Sequence, residues 1–229
     1  MRDVVEDFTS HENVLRNGIS LRGNSTAYTA FGKRLLDLAL GVAGAPVILP
    51  VIGILCLLVR RDGGPAFYMQ QRVGRNGRQF ACLKLRTMVV DADKVLADLC
   101  AENPKIAAEW HRHQKLHDDP RITRIGRFLR RSSLDELPQV LNVLAGQMSL
   151  VGPRPFTPEQ QDLYREAGGQ AYFRMRPGIT GPWQIHGRSE TRFVDRVHFD
   201  ELYGETISLR SDLRLVIETV GVVLKMTGK

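Results

Sequence analysis

The feature that most limits what this chain can fold into is a stretch without a single charge, from Leu38 to Val59. As a helix, those 22 positions would reach roughly 33 Å at about 1.5 Å per residue, enough for the hydrocarbon thickness of a bilayer. Pro46 and Pro50 each remove a backbone donor and crowd the preceding turn, and Gly41, Gly44 and Gly53 weaken the helix further, so a bend at Pro46 is predicted. Lys33 and Arg34 precede the run, and Arg60 and Arg61 follow it. Positive residues favour the cytoplasmic side of a membrane, so both ends prefer the same side. The economical reading is a re-entrant anchor over 31–61, a helix that enters one leaflet, breaks at Pro46 and returns, with Lys33 and Arg34 snorkelling to lipid phosphates. A plain single span and a buried core helix are the alternatives.

Residues 1–30 read as a mobile polar tail without the apolar centre of a signal peptide. The chain has 229 residues, room for one domain with a sizeable core plus an appendage. That domain is assigned to 62–229, opening with a turn at Asp62, Gly63, Gly64 and Pro65. Alternating apolar and polar residues on either side of Asn76 and Gly77 predict a β-hairpin over 66–88. Residues 91–115 read as helical. Arg121, Arg124, Arg127 and Arg130 recur in steps of three among Ile122, Ile125, Phe128 and Leu129, the pattern of a basic amphipathic helix or of a solvated charged face. Further helices are predicted from about Ser133 to Leu144, ending at Gly146, and from Asp212 to Lys225. The expected fold is α/β, mainly helical with a small hairpin. Net charge of +7 and a pI near 9.6 call for an anionic partner, whether nucleic acid, phosphate-bearing substrate or membrane surface. Cys56, Cys82 and Cys100 are odd in number and widely spaced, which suggests neither a disulfide framework nor a zinc site.

The segment Ser132–Gln139, SSLDELPQ, sets two adjacent carboxylates, Asp135 and Glu136, at a helix start. Taken alone it reads first as a capping box of Ser133 with Glu136. Its neighbours change that balance: Arg130 and Arg131 stand just before it, and Arg154 follows in the stiff segment Val151–Pro155, VGPRP. Carboxylates gathered with arginines suit a site that handles phosphates and a divalent metal. An aspartate with an ordinary pKa of about 4 is ionised at neutral pH and can attack phosphorus without a general base. Hard oxygen ligands such as Glu136 favour Mg2+, which would neutralise the phosphoryl oxygens, and arginine forks would hold the rest of the charge.

The order of GKRLLD (Gly32–Asp37), the proline-broken apolar run, CLKLRTM (Cys82–Met88), DPRIT (Asp119–Thr123), LRRSSLDELPQ, MSLVGPRP (Met148–Pro155), RPGITG (Arg176–Gly181) and HGR (His186–Arg188) closely resembles the bacterial polyprenyl-phosphate sugar-1-phosphate transferases. The resemblance runs from about Phe31 to the C-terminus and is closest to the short members that initiate exopolysaccharide synthesis. It implies transfer of galactose or glucose phosphate from a UDP-sugar to undecaprenyl phosphate, with release of UMP. Asp135 would take the phosphosugar as a covalent intermediate, and Glu136 would help hold Mg2+. Arg130 and Arg154 match positions near the bound phosphates, Lys84 and Arg86 would line the same cleft, and Arg188 would contact the uridine phosphate. Pro177, Gly178 and Gly181 either approach the nucleotide or sugar or merely shape turns. The implied location is the cytoplasmic face of the bacterial inner membrane, with membrane lipids as partners, no nucleic acid, and self-association left open. Ala45 stands where many members carry Ser before the helix-breaking proline, so the freed carbonyls need another donor.

Two rivals compete with this reading. A membrane-tethered nucleic-acid-binding or regulatory protein would use the same positive charge but leaves the acidic pair and VGPRP unexplained. A scaffold of a polysaccharide assembly complex would need none of the chemistry.

Overall fold

The computed structural model describes residues 27–113, 116–187 and 192–224, so most of the tail assigned to 1–30 lies outside the described residues. The long apolar helix, α1, runs from Lys33 to Val59 behind a π-helical turn, Tyr28–Gly32, and closes in a 3-10 turn, Arg60–Asp62. This stretch is long and apolar enough to cross a membrane. The break expected at Pro46 does not occur: α1 is helical throughout, with Pro46 and Pro50 inside it. The buried residues of α1 give the reason. Asp37, Gly41, Ile52, Leu55 and Val59 are buried, and at 3.6 residues per turn they fall within about 60° of one another around the helix. Both prolines project from the opposite side. Their missing donors therefore lie on the face turned away from the protein.

The hairpin forms as expected. Strand β1, Phe67–Val73, pairs antiparallel with β2, Gln79–Leu85, through a turn in which Asn76 and Gly77 both take positive φ. The helical stretch that follows divides into α2, Ala92–Glu102, and α3, Pro104–His113, because Asn103 is extended and Pro104 cannot continue the first helix. The basic helix α4 spans Arg124–Ser132 with Thr123 as its N-cap, the Thr123 hydroxyl accepting from the Gly126 amide at 2.9 Å. Arg121 lies before it, buried, paired with Asp119 at 2.6 Å and set over the Trp110 ring.

The helix predicted to begin at Ser133 is shorter. Ser133 is left-handed at φ 56° and makes no side-chain cap, so the expected capping box is absent. A 3-10 turn, Leu134–Glu136, carries the two acids, and α5 follows at Gln139–Leu144. Beyond it come β3, Ser149–Val151; α6, Gln161–Glu166; α7, Ala171–Arg174; β4, Gly178–Thr180; α8, Arg196–Thr206; and α9, Leu209–Leu224. Strands β3 and β4 pair in parallel, Ser149 with Gly178 and Val151 with Thr180, a pairing with no local sequence signal. Close backbone approach explains the glycines there, since a Cβ on Gly178 would sit 2.1 Å from the Gly152 nitrogen.

The expected snorkelling of Lys33 and Arg34 is also corrected. Lys33 Nζ donates to Asp212 Oδ2 at 2.6 Å and to the Tyr203 hydroxyl at 2.9 Å. Arg34 donates to the carbonyls of Val143 at 2.6 Å and Leu144 at 3.0 Å. A fully buried carboxylate and the orphan carbonyls at the end of α5 compete successfully for these cations. At the other end, Leu55 and Val59 pack with Leu85 and Leu129. Both ends of α1 thus rest on the same body of protein.

Candidate active site

The chain reverses at Ser133, and this turn points Asp135 and Glu136 towards the hairpin. Glu136 Oε1 accepts from Lys84 Nζ on β2 and from Arg154 Nη2 in the segment after β3, each at 2.8 Å. Burial alone would raise the Glu136 carboxyl, but Arg154 and Lys84 reverse this and hold it far below the usual carboxylate range. The same carboxylate raises the Arg154 guanidinium. Glu136 is therefore the counter-ion that fixes two cations, and the oxygen expected to hold a metal is already engaged.

Asp135 differs. Among the described residues its side chain makes no hydrogen bond or ion pair. Burial raises its carboxyl and Glu136 pushes the same way, while Lys84, Arg130 and Arg154 pull it down without cancelling the rise. The expectation of an unperturbed aspartate is corrected accordingly. It lines a cavity of about 630 Å3 together with Lys84, Arg130, Glu136 and Arg154. Tyr68, Gln70, Asp91 and Asp93 form other parts of the wall. A carboxylate aimed into such a cavity, unbonded and facing cations, suits attack on an anionic phosphoryl group.

The remaining predicted residues divide. Arg130 is oriented by its Nε–H, which donates to Thr87 Oγ1 at 2.9 Å, and burial lowers its guanidinium. Arg86 borders the cavity but is not a free fork. Its five N–H groups go to Pro65 O, both Asp62 oxygens, Met88 O and Val59 O. It braces the end of α1 against the hairpin, and it holds the Asp62 carboxyl down at about 2. Arg188 lies outside the described residues. Pro177 and Gly178 shape the β3–β4 pairing, which favours the turn-shaping reading of that loop.

Sequence reasoning missed Arg72 and Arg196. Arg72 donates to the Pro155 carbonyl at 3.1 Å. Arg196 is buried, donates to the Arg154 carbonyl, and lies within reach of the faces of Phe156, Tyr164, Trp183 and Phe193. Its ion-pair partner is the buried Asp200, whose carboxyl burial pushes up to about 6. Between them, Arg72 and Arg196 clasp the backbone that carries Arg154.

The family model described as bacterial sugar transferase matches residues 28–226, which include this entire site. The chain belongs to that family. It is 44% identical over 227 residues to the UDP-galactose-lipid carrier transferase of Erwinia amylovora, a match covering 99% of this chain and 46% of that protein. It is 41% identical to the undecaprenyl-phosphate galactose phosphotransferase of Salmonella typhimurium, over 96% of this chain and 45% of that protein. The exopolysaccharide production protein ExoY of Sinorhizobium fredii is 42% identical, with 86% of this chain and 87% of that protein aligned. The chain thus spans less than half the length of the first two relatives and most of the third.

Proposed function

We propose that this sugar transferase moves a hexose 1-phosphate, galactose or glucose, from a UDP-sugar to undecaprenyl phosphate and so initiates exopolysaccharide synthesis. The observation that carries the reading is the Asp135 carboxylate, without a hydrogen bond or ion pair among the described residues, beside Lys84, Arg130 and Arg154 in one cavity. An Asp135 oxygen attacks the phosphorus bearing the sugar, the bond to the bridging oxygen breaks, and UMP departs as an anion. The aspartyl phosphosugar is then attacked by an oxygen of undecaprenyl phosphate, which restores the carboxylate and leaves a lipid diphosphate sugar. Neither step needs a general base once Asp135 is ionised, since the acceptor phosphate is itself an anion. Arg154 and Arg130 supply positive charge where the diphosphate sits, and Glu136 keeps Lys84 and Arg154 in place.

Mg2+ fits the residues present. It is commonly bound by one or two carboxylates together with substrate phosphates, and no cluster of three potential ligands exists among the described residues. Asp91, Asp93 and Asp135 all line the cavity and could offer a carboxylate oxygen to it, whereas Glu136 Oε1 is engaged by two cations. When bound, the ion would neutralise phosphate charge that otherwise repels Asp135.

The seat is the cytoplasmic face of the inner membrane, with α1 in one leaflet. The support is that Lys33 binds Asp212 at one end while Arg86 holds the Val59 carbonyl at the other. Val42 and Val47 between them are 63% and 69% exposed. A crossing helix would carry one end away from the body that holds both. UMP release from UDP-galactose and UDP-glucose by the membrane-bound protein, with undecaprenyl phosphate and Mg2+ present, tests the reaction. Turnover of at least one sugar is expected, and no release from either would refute it. Tags before Lys33 and after Arg61 should both report from the cytoplasm, and opposite exposure would establish a span.

A further inference from the structure

Two cavities meet at Pro65. One is the catalytic cavity. The other, about 390 Å3, is lined by Cys56 and Arg60 at the end of α1 and by Gly63, Gly64, Ala66 and Phe67 of the following segment. Pro65 lines both.

The partition at Gly64 is its backbone and, directly behind it, the side chains of Val90 and Arg86. A Cβ on Gly64 would lie 2.6 Å from Val90 Cγ2 and 2.7 Å from Arg86 Nη2, and both of those residues wall the catalytic cavity. Strand β1 continues the division, with Phe67 in the outer groove and its neighbour Tyr68 in the catalytic cavity, as the alternation of a strand requires. The outer groove is mainly apolar, and Phe67 is 40% exposed. It holds one guanidinium, Arg60, which among the described residues makes no side-chain hydrogen bond or ion pair. Apolar walls beside one unpaired cation, at the end of the apolar helix and next to the reacting cavity, describe a receptor for an anion on a hydrocarbon tail.

We propose that this groove is the entry site of the lipid acceptor, an isoprenoid phosphate. Arg60 receives the phosphate as it slides in from the leaflet, and Cys56 and Phe67 pack against the first isoprene units. The phosphate then passes Pro65 to reach Asp135. The inference rests on the proposed reaction for the identity of its ligand and adds where that ligand enters. Arg60 is a binding residue and touches no reacting atom in the first half of the reaction.

Two measurements test it. Arg60→Gln should raise the KM for undecaprenyl phosphate by about tenfold to a hundredfold, the loss of one charge-assisted hydrogen bond. The effect should appear in that KM and not in the UMP burst released from UDP-sugar without acceptor, and Arg60→Lys should recover part of it. An unchanged acceptor KM, or an equal loss in the burst, would overturn the proposal. The second measurement needs no turnover, so its result separates from that of the catalytic reading. Maleimide labelling of Cys56, mapped by mass spectrometry in vesicles, should be slowed by undecaprenyl phosphate and not by an equal amount of phosphatidylglycerol. Equal protection by both would mark the groove as a seat for bulk lipid and overturn it, as would protection by neither.

Discussion

Arg154 Nη2 reaches Glu136 Oε1 across 2.8 Å although 18 positions separate the two in the chain. Lys84 comes to the same oxygen from the hairpin, so one carboxylate ties together three segments that otherwise share little. Asp135, next to it in sequence, makes no side-chain hydrogen bond or ion pair among the described residues. The two halves of the acidic pair thus have different surroundings: Glu136 holds two cations, and Asp135 faces the cavity.

Glu136→Gln should therefore act through structure as well as activity. It leaves Lys84 and Arg154 without their anion in a largely buried setting, and removing one partner of a buried pair costs about 3–5 kcal/mol. Exposure of these side chains, 12% for Glu136 and 24% for Arg154, puts the expected loss at the lower end. Chemical denaturation measures it, and activity should fall at least about a hundredfold with Arg154 misplaced. The carboxyl is held down in the folded protein, so its contribution is present above the unfolded pKa. That contribution should fade as pH falls below the unfolded pKa and be gone once pH has passed the lower folded value. A variant as stable as the wild type at neutral pH would contradict the clamp.

Asp135→Asn should separate activity from stability. Burial raises the Asp135 carboxyl, so the charged form costs the fold stability above the raised pKa, and a neutral isostere relieves that cost. The expected result is loss of sugar-phosphate transfer with a Tm equal to or above that of the wild type. Polysaccharide synthesis in cells tests the scaffold reading in the same variant, since a scaffold would keep its output.

The pH profile of UMP release carries the same information kinetically. The nucleophile must be ionised, so the rate of the first half-reaction should fall as pH drops through the raised Asp135 pKa. Lys84 is the largest of the charges lowering it. Lys84→Gln should move the acid limb to higher pH, and a limb that stays or moves to lower pH would contradict the assignment.

Lys33→Met distinguishes an internal ion pair from a lipid contact. Asp212 is fully buried, and stripping it of Lys33 should cost about 3 kcal/mol or more. A Tm unchanged in detergent, with only membrane affinity reduced, would restore the snorkelling role.

The hairpin and the acidic pair were legible in the sequence because their signals are local: a turn of Asn76 and Gly77 between alternating strands, and two adjacent acids among arginines. Partners distant in sequence were not. Lys33 stands beside the apolar run in sequence, but its anion lies 179 positions away. Arg86 sits in a motif next to Lys84 and looked equally available, yet Asp62 and three carbonyls consume it. Arg196 had no local signal at all, since its aromatic neighbours and the Arg154 carbonyl come together only in the fold. Pro46 misled for another reason: a missing donor is a defect only if nothing holds the helix, and α1 is held at both ends.

In the proposed reaction Asp135 bonds to phosphorus. Incubation with UDP-sugar labelled in the hexose, without lipid acceptor, followed by acid quench and peptide mapping, should find the label on the peptide of Asp135 and nowhere in Asp135→Asn. The label should leave on addition of undecaprenyl phosphate. An active preparation that carries no label, or carries it in the Asn variant, would contradict the account.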